Sequence, residues 1–405
     1  MTNLIGARIE RKEDKKFLTG KGRYTADINL LNQTYAYFVR SPHARAKITK
    51  IECDKAIKAP GVIEVFTGET MIKNRIGGLI CGWKIVSHDG KDMKCPPHPV
   101  LANDTVNFVG DHVAVVIAET LEQAKNAAEL VNVNYKIKKA VVNTAEATSF
   151  ENIHEGIDNN LSFDFLLGDK GKTDEAFSKA DKIIKLDLIN NRLIPNAMEP
   201  RAAIGDFNSS SEELTLYTAS QNPHLDRLIM SAFNAVHPEH KFRIVAPDVG
   251  GGFGSKINVY AEDITVAFAS KKIGRPVKWV AERSESFMSD NHGRDHVTHA
   301  ELAVNNDGKM TGIKVDTTAN LGAYSLVLGA VTPTYLYAPL LLGVYDIPTA
   351  CCTVKGVYTN TAPTDAYRGA GRPEATFVIE RIVTEAAKVI GMDQAEFRKK
   401  NFIKK

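Results

Sequence analysis

The sequence predicts an α+β protein organised in two units. Residues 111–137 are typical of a buried strand, an amphipathic helix and a second strand in direct succession. Further along, strands and helices alternate around two glycine-rich loops, and a turn at residues 307–308 marks a β-hairpin. With 405 residues, the chain is long enough to bury a core in each unit.

The first unit is expected to span residues 1–145. The stretches "QTYAYFVRSPHARAKITKIEC" and "GVIEVFTGE" predict strands separated by turn residues. The apolar run "VAVVIA" suits a buried strand, and Leu121, Ala124, Ala128 and Val131 then recur at helical spacing. These elements together indicate one α+β unit.

The second unit is expected to span residues 146–405. Strands are predicted for "ELTLYTAS", "KFRIVAPD", "RPVKWVAER" and "TACCTVKGVYT", and the hairpin joins "HVTHAELAV" to "KMTGIKVDTTA". A helix over "INVYAEDITVAFASKKIG" should end at Gly274. A helix over "PEATFVIERIVTEAAKVIG" has Pro373 near its first turn and Gly391 beyond its end. A short helix is predicted over "GMDQAEFRKKNFIKK".

Bulk composition disfavours several classes of protein. The hydrophobic share of 43% and the charged share of 24% are ordinary for a globular protein. The formal net charge is +3 and acidic residues interrupt the basic clusters, which argues against a nucleic-acid partner. The amino terminus lacks the apolar stretch of a signal peptide, and no run of about 18 apolar residues occurs. We therefore expect a cytoplasmic protein with no membrane span.

The five cysteines show no metal-ligand spacing. Cys53, Cys81 and Cys95 are far apart, whereas Cys351 and Cys352 are adjacent. No CxxC pair or Cys/His spacing indicates zinc or an iron–sulfur cluster held by this chain. We interpret the cysteines as small buried side chains in a reducing compartment, and we assign no residue of the chain as a metal ligand.

The stretch "VGGGFGSK", residues 249–256, is the first candidate for chemistry. Its glycines do not have the spacing of a dinucleotide fingerprint, and Ser255 precedes Lys256 where a phosphate-binding loop needs Gly-Lys-Ser/Thr. A glycine-rich loop that follows a strand and opens a helix can nevertheless hold an anion with its backbone N–H groups. The alternative is a plain strand-to-helix turn with Phe253 packed into the core.

Two further loops add polar groups. "RGAGRP", residues 368–373, again places small residues between a strand and a helix, and its two arginines suit phosphate or the polar groups of a heterocycle. Arg368 and Arg372 would equally well pair with surface acids. In "ASQNPH", the amide of Gln221 can donate to an oxo or carbonyl group, unless the turn satisfies its own backbone. Two glycine-rich loops in one unit favour a bound anionic cofactor.

Five motifs in a fixed order identify a family. "MEPRAAIGDF", "TASQNPH", "VGGGFGSK", "HGRDHVTHAEL" and "DAYRGAGRPEA" resemble the molybdopterin-binding large subunit of the xanthine oxidase family of molybdenum hydroxylases. "IGARIERKEDKKFLTGKGRYTADI" and "FVRSPHARAKI" resemble its opening segment, and the branch that the chain resembles most is the aerobic carbon-monoxide-dehydrogenase-like one. The resemblance covers essentially the whole chain. It implies a hammerhead-type α/β domain over residues 1–145 and the first half of a molybdenum-cofactor-binding domain over residues 146–405.

The resemblance also implies site residues. Gln221 matches the glutamine whose amide contacts the cofactor, Phe253 matches the ring that borders the substrate pocket, and Arg368 matches the arginine across the active site. These three are the expected catalytic residues. The expected cofactor-binding residues are the same three together with the loop positions Gly251, Gly252, Gly254, Gly369 and Ala370.

The resemblance implies an oxidoreductase that hydroxylates an aldehyde, or an aromatic or N-heterocyclic compound, with oxygen derived from water. Its cofactor would be molybdenum–molybdopterin in the cytosine dinucleotide form. Electrons would leave through [2Fe–2S] clusters on a small subunit and FAD on a medium subunit. The expected partners are these two subunits, a C-terminal half or second molybdopterin chain, and a small organic substrate.

Departures from the family pattern narrow the substrate. Gly369 stands where carbon monoxide dehydrogenases proper carry a copper-binding cysteine, and Cys351 and Cys352 lie too far upstream to replace it. Ile257 and Ala370 stand where xanthine-oxidising members carry a glutamate and a stacking aromatic ring, which disfavours a purine.

A further departure concerns the general base. In the family this glutamate lies beyond "RKKNFI", and none of Glu262, Glu374 or Glu380 matches its motif. We therefore expect the base on a second polypeptide, as in some nicotinate-hydroxylating members, or in the rest of a longer product. The alternatives are a carbon-monoxide-dehydrogenase-like oxidoreductase, a non-catalytic cofactor-holding or assembly fragment, and an unrelated nucleotide-binding domain.

Overall fold

The structure is a computed structural model and describes residues 4–404. The strands within these residues are β1 (Thr34–Arg40), β2 (Ala46–Glu52), β3 (Val62–Thr67), β4 (Thr105–Val106), β5 (His112–Ala118), β6 (Asn132–Ile137), β7 (Leu161–Gly168), β8 (Lys182–Asn190), β9 (Ala202–Asn208), β10 (Glu213–Thr218), β11 (Phe242–Val245), β12 (Val277–Val280), β13 (His296–Val304), β14 (Met310–Asn320) and β15 (Ala350–Val357). The helices are α1 (Asp14–Leu18), α2 (Asp54–Ile57), α3 (Gly68–Lys73), α4 (Leu121–Ala128), α5 (Lys170–Ser178), α6 (Pro223–Ala232), α7 (Ala261–Ile273), α8 (Arg283–Ser289), α9 (Arg372–Ile390) and α10 (Gln394–Asn401). Short 3₁₀ turns cover Thr25–Asp27, Thr144–Ser149, Asp158–Asn160, Glu239–Lys241 and Ala338–Leu340.

Three sheets carry the fold, and the predicted α+β class is confirmed. A seven-stranded sheet has the order β11–β10–β9–β12–β1–β5–β3, a five-stranded sheet has the order β7–β15–β14–β13–β8, and a small sheet has the order β4–β2–β6. Three neighbouring pairs run parallel, namely β1 with β12, β10 with β11 and β14 with β15. The remaining pairs among the described strands are antiparallel.

The seven-stranded sheet contains strands from both sides of residue 145. β1, β3 and β5 precede that position, and the other four strands follow it. The junction is the parallel pair of β1 and β12, where Thr34 lies opposite Val277. The two expected units are therefore joined by backbone hydrogen bonds in one sheet, and a domain boundary at residue 145 stays a prediction.

The predicted strand–helix–strand segment is confirmed as β5, α4 and β6. All seven residues of β5 are buried, which is typical of a strand covered on both faces. Thr120 caps α4, and Ala124, Ala127 and Ala128 are its buried residues. Leu121, expected on that buried face, is instead 41% exposed because it lies in the first turn, outside the packed stripe.

Helix α7 is covered on almost every side. Nine of its thirteen residues are buried, and it packs on β9. The close approach depends on Gly205 in β9, where a Cβ atom would lie 2.6 Å from the carbonyl oxygen of Val266. Gly274 ends the helix with φ 67°, as the sequence predicts.

Helix α9 covers one face of the five-stranded sheet. It packs on β8 and β13, and most of its buried residues repeat at helical spacing: Glu374, Ala375, Val378, Ile379, Ile382, Val383, Ala386 and Ala387. Pro373 lies in its first turn, and Gly391 ends it with φ 78°, so both predicted boundary signals are confirmed. The hairpin of β13 and β14 and the short helix α10 are confirmed as well.

A buried cluster of ion pairs ties α7 to the seven-stranded sheet. Glu262 of α7 has no exposed side-chain surface and lies 2.8 Å from Arg40 Nη2 of β1. Its carboxylate is also 2.9 Å from His112 Nε2 and 3.0 Å from Arg201 Nη2. Burial raises the pKa of Glu262, but these three neighbours outweigh it and hold the pKa well below its ordinary value. The cluster links residues that precede and follow residue 145.

No helix within residues 4–404 is long and apolar enough to cross a bilayer. The cysteines are free thiols; Cys351 and Cys352 are buried, and the other three are partly buried. Across the same residues, no cluster of three or more His, Cys, Asp and Glu side chains is arranged to hold a metal ion.

Candidate active site

The glycine-rich loop, residues 249–256, connects β11 to α7 but does not open that helix. The helix begins at Ala261, and Tyr260 is its N-cap residue. The expectation that this loop opens the helix is therefore wrong, because residues 257–260 remain non-helical and Tyr260 is bonded through its side chain to the Ser255 carbonyl. The N–H of Gly254 donates to Gln221 Oε1 at 2.9 Å.

The glycine loop holds the side-chain oxygen of Gln221, whereas the side-chain nitrogen has no hydrogen-bond partner among residues 4–404. Its Oε1 atom accepts from the N–H groups of Gly254 and Lys256, at 2.9 and 3.4 Å, and its backbone N–H donates to the Lys256 carbonyl at 2.8 Å. Since both contacts to Oε1 come from donors, that atom is the amide oxygen. Nε2 makes no hydrogen bond with any residue in 4–404, so its two N–H groups are available to a ligand.

The glycines of the loop are required by close contacts. A Cβ atom at Gly252 would lie 2.2 Å from Gln221 Oε1. Gly254 has φ 107°, and a Cβ atom there would lie 2.0 Å from the Ala366 carbonyl oxygen. Gly251 also has a left-handed φ, 95°. The loop is thus packed against both Gln221 and the segment that leads into the second loop.

Phe253 and Arg368 join the two loops. The N–H of Arg368 donates to the Phe253 carbonyl at 2.9 Å, and the guanidinium carbon lies 5.5 Å from the ring centroid, within cation–π range. The ring is 41% exposed, so the alternative that buries Phe253 in the core is wrong. Arg368 is exposed and makes no ion pair within the described chain, so the alternative of pairing with surface acids does not apply to it.

The second loop has the predicted position at a helix start. Gly371 is the N-cap residue of α9, and Gly369, Ala370 and Gly371 have φ values of 106°, 43° and 84°. Ala370 is the strained member, since a left-handed conformation disfavours any residue with a Cβ atom. Arg372 Nη1 donates to the Gly369 and Ala370 carbonyls at 3.3 and 3.4 Å, which stiffens the loop.

Two buried polar residues, Tyr260 and Asn291, connect the two loops through hydrogen bonds, and neither of them was identified from the sequence. Tyr260 O–H donates to the Ser255 carbonyl at 2.6 Å, and its oxygen accepts from Asn291 N–H at 3.2 Å. Asn291 Nδ2 donates to the Ala366 carbonyl at 3.2 Å. The one sequence signal for Asn291 is that it directly precedes the "HGRDHVTHAEL" motif, and that position does not indicate a role for this residue.

Arg294 supports the second loop in a similar way. Its guanidinium donates to the carbonyls of Tyr367 and Arg368, at 2.9 and 3.0 Å, and to Glu374 Oε1 at 3.0 Å. Glu374 is therefore committed to a buried ion pair. Glu262 lies in the buried cluster, and Glu380 binds Arg398 at 2.8 Å. Each of the three glutamates considered as a general base has a structural partner.

The exposed polar groups at the joined loops fit an anionic cofactor. The exposed unengaged groups at the two loops, Gln221 Nε2 and the Arg368 guanidinium, are donors, whereas the carboxylate oxygens without a partner, Glu199 Oε1 and Glu374 Oε2, are buried. Donors alone suit a group rich in oxygen or negative charge. Lys256 is not among them, because its Nζ atom lies 2.8 Å from Glu199 Oε2.

Gly254→Ala should separate the two loops. The new Cβ atom has to move the Ala366 carbonyl, so the free energy of unfolding should fall by about 1–3 kcal/mol more than in a control without the clash. Gly274→Ala is that control, since its φ is 67° and nothing lies within 4 Å. Denaturant titration of both variants checks the difference. Equal losses in the two variants would show that the loops are not packed as described.

Comparison with known proteins defines the class. Residues 19–139 match the aldehyde oxidase and xanthine dehydrogenase a/b hammerhead domain, and residues 153–402 match the molybdopterin cofactor-binding domain. The chain therefore belongs to the xanthine oxidase family of molybdopterin-binding large subunits, in the branch that resembles carbon monoxide dehydrogenase. The family resemblance carried by the motifs is confirmed.

Individual relatives sharpen the class. The chain is 36% identical to the carbon monoxide dehydrogenase large chain of Hydrogenophaga pseudoflava, with 97% of this chain and 50% of that protein covered. It is 32% identical to the nicotine 6-hydroxylase large subunit of Paenarthrobacter nicotinovorans, with 99% and 49% covered. Quinoline 2-oxidoreductase from Pseudomonas putida 86 has a similar structure, with a TM-score of 0.92, 30% identity, and 98% and 50% covered. The chain spans about half the length of these two large subunits.

Proposed function

We propose that this chain holds the molybdenum–molybdopterin cofactor of a hydroxylase that oxidises an aldehyde, or an aromatic or N-heterocyclic compound, with oxygen derived from water. The observation that carries the proposal is the convergence of Gln221, Phe253 and Arg368. The Gln221 side chain accepts a hydrogen bond from the N–H of Gly254. The carbonyl of Phe253, which precedes Gly254 in the same loop, accepts one from the N–H of Arg368. The backbone of the glycine loop thus connects three exposed side chains that are far apart in sequence, which supports a common site.

Each of these residues has a role that follows from its chemistry. Gln221 donates through Nε2 and orients the bound group, while the glycine loop holds the amide oxygen of Gln221 in place. Phe253 offers an apolar face to a flat substrate, and Arg368 places a fixed positive charge where negative charge develops during the reaction. The cofactor, when bound, supplies the two-electron redox chemistry.

The second loop supports an aromatic or N-heterocyclic substrate over carbon monoxide. It carries Gly369 and no thiol, and Cys351 and Cys352 are buried in β15. Two similar enzymes are named for the N-heterocycles nicotine and quinoline. The 36% identity to a carbon monoxide dehydrogenase large chain favours the alternative, a carbon-monoxide-dehydrogenase-like oxidoreductase. Without a loop thiol to bind copper, we rank that alternative second.

The proposal includes partners and location. The chain would work with a [2Fe–2S] small subunit, an FAD-binding medium subunit, and a C-terminal half or second molybdopterin chain that supplies the general base. The support is that it spans half the length of the carbon monoxide dehydrogenase large chain and that Glu262, Glu374 and Glu380 are already engaged. The cofactor would be the cytosine dinucleotide form. Five free thiols support a reducing cytoplasm.

Metal analysis tests the proposal. The complex purified with its partner subunits should contain about one molybdenum per copy of this chain, together with a pterin chromophore, because the two loops form one cofactor surface. Loss of molybdenum in the Arg368→Ala variant, with Arg381→Ala on the exposed face of α9 as the control, would tie the metal to this surface. An adenine nucleotide without molybdenum would instead support a nucleotide-binding domain. Retained molybdenum with no turnover of any aldehyde or heterocycle would support a cofactor-holding fragment.

A further inference from the structure

Both ends of the glycine loop converge on one buried carboxylate. Glu199, in the segment between β8 and β9, accepts at Oε2 from the N–H of Gly250 at 2.7 Å and from Lys256 Nζ at 2.8 Å. Lys256 Nζ also donates to the Glu199 carbonyl at 2.9 Å, and Glu199 N–H donates to the Gly250 carbonyl at 3.2 Å. Gly250 begins the glycine run and Lys256 ends the loop, so Glu199 closes it at its base.

This ion pair is held away from water. The Lys256 side chain is 1% exposed and the Glu199 side chain is 9% exposed. A pair at this depth requires good geometry, because either charge left alone pays a large desolvation cost. The two segments also approach closely at Gly250, where a Cβ atom would lie 2.5 Å from the Glu199 Cβ atom. The position of the loop base is therefore narrowly determined.

The pair is connected to the site through the backbone of Lys256. The Lys256 carbonyl accepts from Gln221 N–H at 2.8 Å, and the Lys256 N–H donates to Gln221 Oε1 at 3.4 Å. A displacement of Lys256 must therefore move the amide of Gln221. The same displacement alters the Gly254 N–H, which is the second donor to that amide oxygen.

We propose that Glu199 and Lys256 are positioning residues, whose ion pair closes the base of the glycine loop and so fixes the Gln221 amide. The effect on catalysis rests on the proposed function, whereas the effect on the loop does not. The role is distinct from a purely structural one. It predicts that the loop loses order even in a variant whose overall stability is restored.

Hydrogen–deuterium exchange on the purified complex tests the loop. In Glu199→Gln and in Lys256→Met, amides of the segment 249–257 should exchange about tenfold faster than in the wild type, while the strands of the five-stranded sheet keep their rates. Lys16→Met is the matched control. It removes the exposed ion pair of Lys16 with Asp248, beside the same loop, and should leave the segment unchanged.

The double variant Glu199→Gln/Lys256→Met separates positioning from stability. It leaves no unpaired buried charge, so its melting temperature should recover relative to the single variants. Exchange of the segment 249–257 should nevertheless stay fast, because the two neutral side chains form no ion pair and the two ends of the loop are no longer joined. In the loaded enzyme, kcat should stay roughly 100-fold low with a smaller change in KM.

Two results would overturn the proposal. One is wild-type exchange of the segment 249–257 in the single variants, and the other is recovery of wild-type exchange in the double variant. If the neutral variants do not fold, Glu199→Asp replaces them. It keeps the charge but shortens the side chain by a methylene, and wild-type exchange in that variant would equally overturn the proposal. A complex without molybdenum would contradict the proposed function and leave the exchange result to stand by itself.

Discussion

Glu262→Gln should lower the free energy of unfolding by about 3–5 kcal/mol, the loss typical of breaking a buried ion pair from one side. The substitution keeps the shape of the side chain and removes its charge. Arg40 and Arg201, both within 3.0 Å of this carboxylate, then lose a buried counter-charge. Denaturant titration at neutral pH measures the effect.

Glu119→Gln is the matched control for this prediction. Glu119 binds Arg275 through two hydrogen bonds of 2.8 Å, but this pair is partly exposed, and the loss should be within about 1 kcal/mol. Similar losses in Glu262→Gln and Glu119→Gln would mean that the buried cluster adds no more to stability than a surface pair.

The stability difference between the wild type and Glu262→Gln should depend on pH in one direction. The pKa of Glu262 is depressed in the folded state, so its contribution is fully present above the unfolded value of about 4.3. It is lost as the pH falls through the folded pKa. The two proteins should therefore differ by a constant amount near neutral pH and converge in acid, which unfolding curves at a series of pH values would measure.

Gln221→Ala should lower the turnover of the complete enzyme by about 10²–10³-fold, as expected when a preorganised donor to developing charge is removed. Its effect on folding should be small, because the side chain is exposed and contributes only two accepted hydrogen bonds to the loop. The comparison requires turnover and melting temperature from the same preparations. Unchanged turnover would remove Gln221 from the site.

Gln221→Glu distinguishes the donor from the acceptor role of this residue. A carboxylate still accepts from the N–H groups of Gly254 and Lys256, but it has no N–H to offer a ligand. Turnover should therefore fall about as far as in Gln221→Ala, while the loop keeps its wild-type protection from exchange. Wild-type turnover in Gln221→Glu would show that the amide acts only by holding the loop.

Local elements could be predicted from the sequence because their signals are local. The run "VAVVIA" needs no partner to indicate a buried strand, and Gly274, Pro373 and Gly391 mark helix ends through their own backbone preferences. The start of α7 could not be predicted in this way. The residues between the glycine loop and Ala261 remain non-helical, and Tyr260 there makes side-chain bonds to Ser255 and Asn291, which no periodicity reveals.

The site was predictable through motifs and not through physics alone. The patterns around Gln221, Phe253 and Arg368 pointed to three loops, and the structure brings these loops together. The ion pair of Glu199 and Lys256 joins positions 57 residues apart, so no spacing rule could find it. The pairing of β1 with β12 is equally non-local, and it was missed for the same reason.

The central place of β1 and β12 in their sheet has a consequence for truncation. Separating the chain near residue 145 would strip both strands of a neighbour and expose the N–H and C=O groups where Thr34 and Tyr35 pair with Val277 and Lys278. Unpaired strand edges bind other extended segments, so the isolated fragments should self-associate or exchange strands. Any rearrangement of this polypeptide that separates residues 34–40 from residues 277–280 must therefore restore their contact by strand complementation in trans.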